Sequence, residues 1–150
     1  MIRDDIKAAL IAAMKARDTA TTAAIRLIQS TIKNRDIELR TAANQPDDDL
    51  LVTEVLQKMI KQRRESIVMY TKGGRDELAQ AEAAEVAVIE EFLPKQMSDK
   101  ELGAAIDAIV AETGAASVKD MGRVMALLKE RHGTALDMSK ASLMVKTALA

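Results

Sequence analysis

The sequence predicts an all-α protein, and three observations carry that prediction. Apolar residues recur every three or four positions along the chain, with no alternating stretch bounded by turns. Alanine fills 26 of the 150 positions and, with Leu, Met, Glu, Lys and Arg, makes a chain dominated by strong helix formers. Gly, Pro, Ser and Asp gather in short clusters between the periodic segments, where caps and breaks belong.

Ile2, Ile6, Leu10 and Met14 step by four and define a first helix. A second is expected over about 19–41, with Ile25, Ile28, Ile32 and Leu39 on one face. Asn44-Gln45-Pro46-Asp47-Asp48-Asp49 then reads as a turn whose aspartates suit an N-cap and the first turn of the next helix. That third helix runs from about 50 to 70 on the stripe Val52, Val55, Met59, Ile60, Ile67 and Tyr70, and Gly73-Gly74 stops it. A fourth covers about 75–92, with Leu78, Val86, Ile89 and Leu93 inward.

Pro94 interrupts the helical pattern and biases Leu93 away from helical geometry. Ser98 with Glu101 three residues on is a capping box that starts a new helix. The expected boundary is Pro94 to Met97, giving an N-terminal helical domain over 1–95 and a C-terminal three-helix domain over 96–150. The three helices are about 98–112, closed near Gly114; about 118–131, between Ser117 and Gly133; and about 138–149, capped by Asp137.

The longest unbroken apolar run, Ala8 to Met14, is far short of the ~20 residues that span a bilayer. The first five residues do not form a basic segment leading to an apolar one. With no cysteine in the chain, a disulfide, an Fe–S cluster and a thiol nucleophile are excluded. Together these point to a cytoplasmic protein with no membrane partner. A core without Trp, with one Tyr and one Phe, must come from many small aliphatic contacts.

Catalytic motifs are absent. His132 stands beside Gly133 in the last turn of a helix, where it complements the dipole, and no second ligand accompanies it. Glu82, Glu85, Glu90 and Glu91 lack the histidine three residues on that carboxylate-bridged metal sites use, so they read as a solvated face. Lys72-Gly73-Gly74-Arg75 is too short for a phosphate loop. No metal and no cofactor are expected.

The basic residues say more. Lys58, Lys61 and Arg40 have an acid four residues away, in Glu54, Glu65 and Asp36. Arg26, Arg63, Arg64, Lys129, Arg131 and Lys146 have none at three or four residues. Arg63 falls within the apolar seam of its helix, so an ion pair with Glu82 or Glu85 is expected, and Arg63→Met should lower thermal stability. Arg26, Lys33 and Arg40 recur every seven residues as one stripe. Residues 115–150 hold six cations, Lys119, Arg123, Lys129, Arg131, Lys140 and Lys146, against three acids in a chain of formal charge −1. These six are the candidate nucleic-acid contacts. With Tyr70 and Phe92 at core positions, any RNA would be read by backbone and duplex shape rather than by stacked bases.

Several segments resemble the YqeY-like protein family. They are Ile32-Lys33-Asn34-Arg35-Asp36-Ile37-Glu38, Lys61-Gln62-Arg63-Arg64-Glu65-Ser66 and Tyr70-Thr71-Lys72-Gly73-Gly74-Arg75. Glu90-Glu91-Phe92-Leu93-Pro94-Lys95-Gln96-Met97 and Asp120-Met121-Gly122-Arg123-Val124-Met125 complete the set. Gly122-x-Val124-Met125-x-x-x-Lys129, with Val145 and Lys146, is similar to the tail domain of the B subunit of the glutamine-dependent Asp-tRNA/Glu-tRNA amidotransferase.

The resemblance implies about four N-terminal helices followed by a three-helix bundle, and a tRNA contact through the C-terminal block. The kinase-like and amidase parts of the amidotransferase have no counterpart here. The leading expectation is therefore a tRNA-binding accessory protein without chemistry of its own, with an amidotransferase or translation components as further partners. A protein–protein adaptor using Met121, Met125, Met138 and Met144 is the second. An amidotransferase-like carbon–nitrogen ligase with glutamine as amido donor is the third. Gly122 is expected where a neighbouring helix approaches closely.

Overall fold

A computed structural model describes all 150 residues as seven α-helices without a strand. The all-α expectation holds. The helices are α1 (Ile2–Lys15), α2 (Thr19–Glu38), α3 (Asp48–Lys72), α4 (Asp76–Glu90), α5 (Asp99–Thr113), α6 (Met121–His132) and α7 (Met138–Leu149). Short 3-10 turns at Val118–Asp120 and Gly133–Ala135 flank α6. The chain divides into two compact units, Met1–Leu93 and Pro94–Ala150.

In the first unit α3 and α4 form the most extensive helix pair, and α1 and α2 complete the core. Ile6, Ile25, Ile28, Val52, Leu56 and Ile89 are almost wholly shielded from water. Two inward positions differ from the sequence expectation. Met14 is 51 % exposed and Ala13 takes its place. Each residue turns a helix by 100°, so three steps of four carry Met14 about 120° away from Ile2. Leu78 is likewise exposed while Ala79 is buried, so the inward face of α4 begins one residue later.

The three aspartates before and within the first turn of α3 have separate tasks. Asp47 caps the helix by accepting from the Leu50 N–H at 3.3 Å. Asp48 accepts from Arg3 Nε at 2.9 Å, and Asp49 accepts from the Ile2 N–H at 3.1 Å. Arg3 also donates from both terminal nitrogens to Asp36, at 2.9 and 2.7 Å, so one guanidinium ties α1 to α2 and α3. This fork is the strong form of a charge-assisted contact. The Asp36 hydrogen bonds raise the Arg3 pKa, and the same bonds hold the Asp36 carboxyl below its ordinary value.

In the second unit α5, α6 and α7 are in mutual contact around Leu102, Ile106, Ile109, Val124, Leu128, Leu136 and Val145. Ser98 starts α5 with a complete capping box, and Gly114 ends it with φ 70°, a conformation that favours glycine. The segment from Pro94 to Met97 is tied down. The Gln96 side chain donates to the Pro94 carbonyl at 2.9 Å and the Thr134 carbonyl at 2.8 Å. The Met97 N–H donates to the Ala135 carbonyl at 2.9 Å.

Candidate nucleic-acid interface

The C-terminal cations occupy the outer faces that the packing of the bundle leaves to water. With Val124 and Leu128 inward, α6 presents Arg123, Lys129 and Arg131 to solvent; with Ala141, Val145 and Leu149 inward, α7 presents Lys140 and Lys146. Lys119 lies exposed in the turn before α6. All six are on the surface of one compact unit.

Arg131, Lys140 and Arg123 each have an acid at hand. Arg131 donates from both terminal nitrogens to the Glu112 carboxylate, at 2.8 and 2.7 Å. That pairing draws the Glu112 pKa down and the Arg131 pKa up. Lys140 on α7 pairs with Asp99 at the start of α5. Arg123 donates to the Thr113 carbonyl at 3.3 Å and to Asp120 at 3.4 Å. Asp120 is itself anchored by the Ala116 N–H at 3.0 Å, the main reason its pKa is lowered. Helical spacing alone could not show the Arg131 and Lys140 pairs, because Glu112 and Asp99 lie on a different helix.

In the first unit, Arg63 Nε donates to Glu85 at 2.9 Å and its Nη1 to the Met59 carbonyl at 3.3 Å. The Arg63 side chain is only 12 % exposed, against 39 % for Glu85. Glu82 is half-buried on the same helix as Glu85. Arg64 also has a cross-helix partner, Glu90, at 2.7 Å.

Met121, Met125, Met138 and Met144 are partly buried and packed against the C-terminal core. The core they pack against is mostly Leu, Ile and Val, and Met144 also borders a surface groove. The exposed apolar group on α7 is Leu143, beside an open groove of about 350 Å³ lined by Gly103, Ile106, Asp107, Met144, Thr147 and Ala148. Gly122 departs from expectation. A Cβ added there meets nothing within 4 Å, whereas one at Gly103 meets Met144 Cε at 3.7 Å. At Gly103 that is ordinary van der Waals contact, so neither glycine is required by a close helix approach. His132 is half-buried in the last turn of α6, and no group of three His, Asp or Glu side chains is placed to hold a metal ion.

Residues 3–149 match the protein family described as Yqey-like protein. Curated relatives include the altered inheritance of mitochondria protein 41, mitochondrial, of Eremothecium gossypii, 36 % identical over 113 residues, which are 74 % of this chain and 58 % of the relative. The protein of the same name from Kluyveromyces lactis is 33 % identical over 91 residues, 61 % of this chain and 45 % of its own length. The chain thus spans about half the length of the curated relatives it matches. Their names correct the expectation of a cytoplasmic protein, since these relatives are mitochondrial. The observations behind that expectation, no cysteine and no membrane-spanning helix, suit a mitochondrial protein equally well.

Proposed function

From the premise that the chain belongs to the YqeY-like family, we propose that it is an RNA-binding accessory protein that holds tRNA and performs no chemistry on it. The observation that carries this reading is the exposure of Lys119, Arg123, Lys129, Arg131, Lys140 and Lys146 on a single three-helix unit. That unit is also the part that resembles the tail of the tRNA-dependent amidotransferase. Cations on a folded surface neutralise phosphates and release counterions, which gives sequence-independent affinity. With no Trp in the chain and Tyr70 and Phe92 half-buried, contact would be to backbone and duplex shape.

The pairs to Glu112, Asp99 and Asp120 set the expected strength. Arg131, Lys140 and Arg123 must share or exchange an acid to meet a phosphate, so affinity should be modest and strongly salt-dependent. Fluorescence anisotropy with bulk tRNA at about 50 and 200 mM salt tests this. Binding that weakens several-fold between the two supports the reading, and no binding at the lower salt overturns it. The adaptor reading has less to draw on, because the methionines it relied on pack against the core.

A further inference from the structure

Exposed cations are not confined to the C-terminal unit. The second helix carries two acids, and each already has a partner. Asp36 is held in the fork of Arg3, and Glu38 accepts from Arg35 at 2.8 Å. Arg26 has no acid at helical neighbour distance, and Lys33 has only Asp36. Arg40, in the turn just after the helix, attracts Asp36 without a hydrogen bond to it. Capture of Asp36 by Arg3 therefore leaves a row of three cations without a paired acid.

Helix geometry places that row together. At 100° per residue, Arg26, Ser30, Lys33 and Ile37 fall within about 60° of one another, opposite the buried Ala24, Ile25, Ile28 and Ile32. Arg26, Ser30, Lys33, Asn34 and Arg40 are all exposed. Seven residues at 1.5 Å put Arg26 and Lys33 about 10 Å apart along the axis. Arg, Lys, Ser and Asn are the side chains that hydrogen-bond phosphate oxygens. The face carries no aromatic ring on which a base could stack.

We infer that the outer face of α2, centred on Arg26, Lys33 and Arg40, is a second binding surface for a nucleic-acid phosphate backbone. It rests on the RNA-binding reading above but uses residues of the other compact unit. Ile37, 46 % exposed in the middle of the row, tolerates a backbone passing over it and adds nothing base-specific.

The test compares two full-length triple variants with the wild type by anisotropy on bulk tRNA over about 50–200 mM salt. One is Arg26→Gln, Lys33→Gln, Arg40→Gln; the other is Lys119→Gln, Lys129→Gln, Lys146→Gln. Loss of three phosphate contacts should lower the slope of log K against log salt by about 2 to 3 and weaken binding at least tenfold at the lowest salt. Arg26→Lys with Arg40→Lys keeps the charge and should bind as wild type, which separates charge from folding. If the α2 variant binds as wild type while the C-terminal variant loses affinity, the inference falls and the proposed function stands. If the α2 variant alone loses affinity, the inference stands and the C-terminal contact falls. Absence of wild-type binding removes both. If poly-glutamate of equal charge competes as well as tRNA, the face reads acidic protein and the inference is overturned.

Discussion

Arg131 near the C-terminus of α6 grips both carboxylate oxygens of Glu112 near the C-terminus of α5, at 2.8 and 2.7 Å. Spacing within α6 gives Arg131 no partner at all; the bundle gives it one of the closest in the chain. The contact is solvent-exposed, with side chains 40 % and 56 % accessible, so it restrains the guanidinium more than it stabilises the fold.

Glu112→Gln should consequently strengthen RNA binding. The change removes an anion from the proposed interface and frees Arg131 for a phosphate. Anisotropy should show a several-fold gain at about 50 mM salt and a salt slope steeper by about 1. Thermal stability should change little, since single surface pairs contribute at most about 1 kcal/mol. Unchanged or weaker binding would place Arg131 outside the interface.

The Arg63–Glu85 pair should be asymmetric under mutation. Glu85→Ala strands a guanidinium that is 12 % exposed, whereas Arg63→Met leaves a carboxylate 39 % exposed and able to turn to water. Stranding a shielded charge is the costlier change. Chemical denaturation should show a loss of about 2–3 kcal/mol for Glu85→Ala and about 1 kcal/mol for Arg63→Met, because methionine restores apolar contact in the seam. The reverse order would mean that the arginine stem, and not the pairing, matters at this site.

Asp36 predicts a sensitivity to acid. Arg3 hydrogen bonds lower its pKa in the folded chain, so its contribution is complete above the unfolded value of about 3.9. It fades as pH falls through the lowered native value, because the unfolded chain then binds the extra proton. Asp36→Asn should cost about 1 kcal/mol at pH 7, the side chain being 39 % exposed and screened. The variant should also lose less stability than the wild type between about pH 5 and pH 2. Thermal melts across that range decide it.

Gly122→Ala should stabilise. The position is exposed near the start of α6 with open space where the methyl group would go. Alanine is favoured over glycine in a helix by up to about 1 kcal/mol, less near an end, so a gain of about 0.5 kcal/mol is expected. A destabilised variant would mean that this backbone makes a contact in solution that excludes a Cβ.

Local chemistry was legible in the sequence where one residue speaks to its neighbours along the chain. Ser98 with Glu101, Gly114 as a left-handed stop and Asp137 as a cap each require only a few consecutive residues, and each is found at its expected place. Alanine suits either face of a helix, so periodicity alone does not fix which way it turns. Ala13 and Ala79 took inward positions that larger neighbours, Met14 and Leu78, were expected to hold.

Pairs between helices leave no local trace along the chain. The partners of Arg64, Arg131 and Lys140 lie 26, 19 and 41 positions away, as Glu90, Glu112 and Asp99, and depend on how helices meet. The work shared by Asp47, Asp48 and Asp49 was half visible. The cap follows from position, whereas the grip on Arg3 and Ile2 needs α1 laid alongside.

The bonds of Gln96 and Met97 to Thr134 and Ala135 bear on how the chain yields to proteases. Lys95 is exposed, follows a proline and lies at the very start of the second compact unit, so it resembles an ideal tryptic target. Yet the residues after it are fastened to a loop 38 positions further on, and a protease needs several consecutive residues free to extend into its cleft. Digestion should therefore begin elsewhere, and the peptide bond after Lys95 should open only when the Thr134–Ala135 corner lets go.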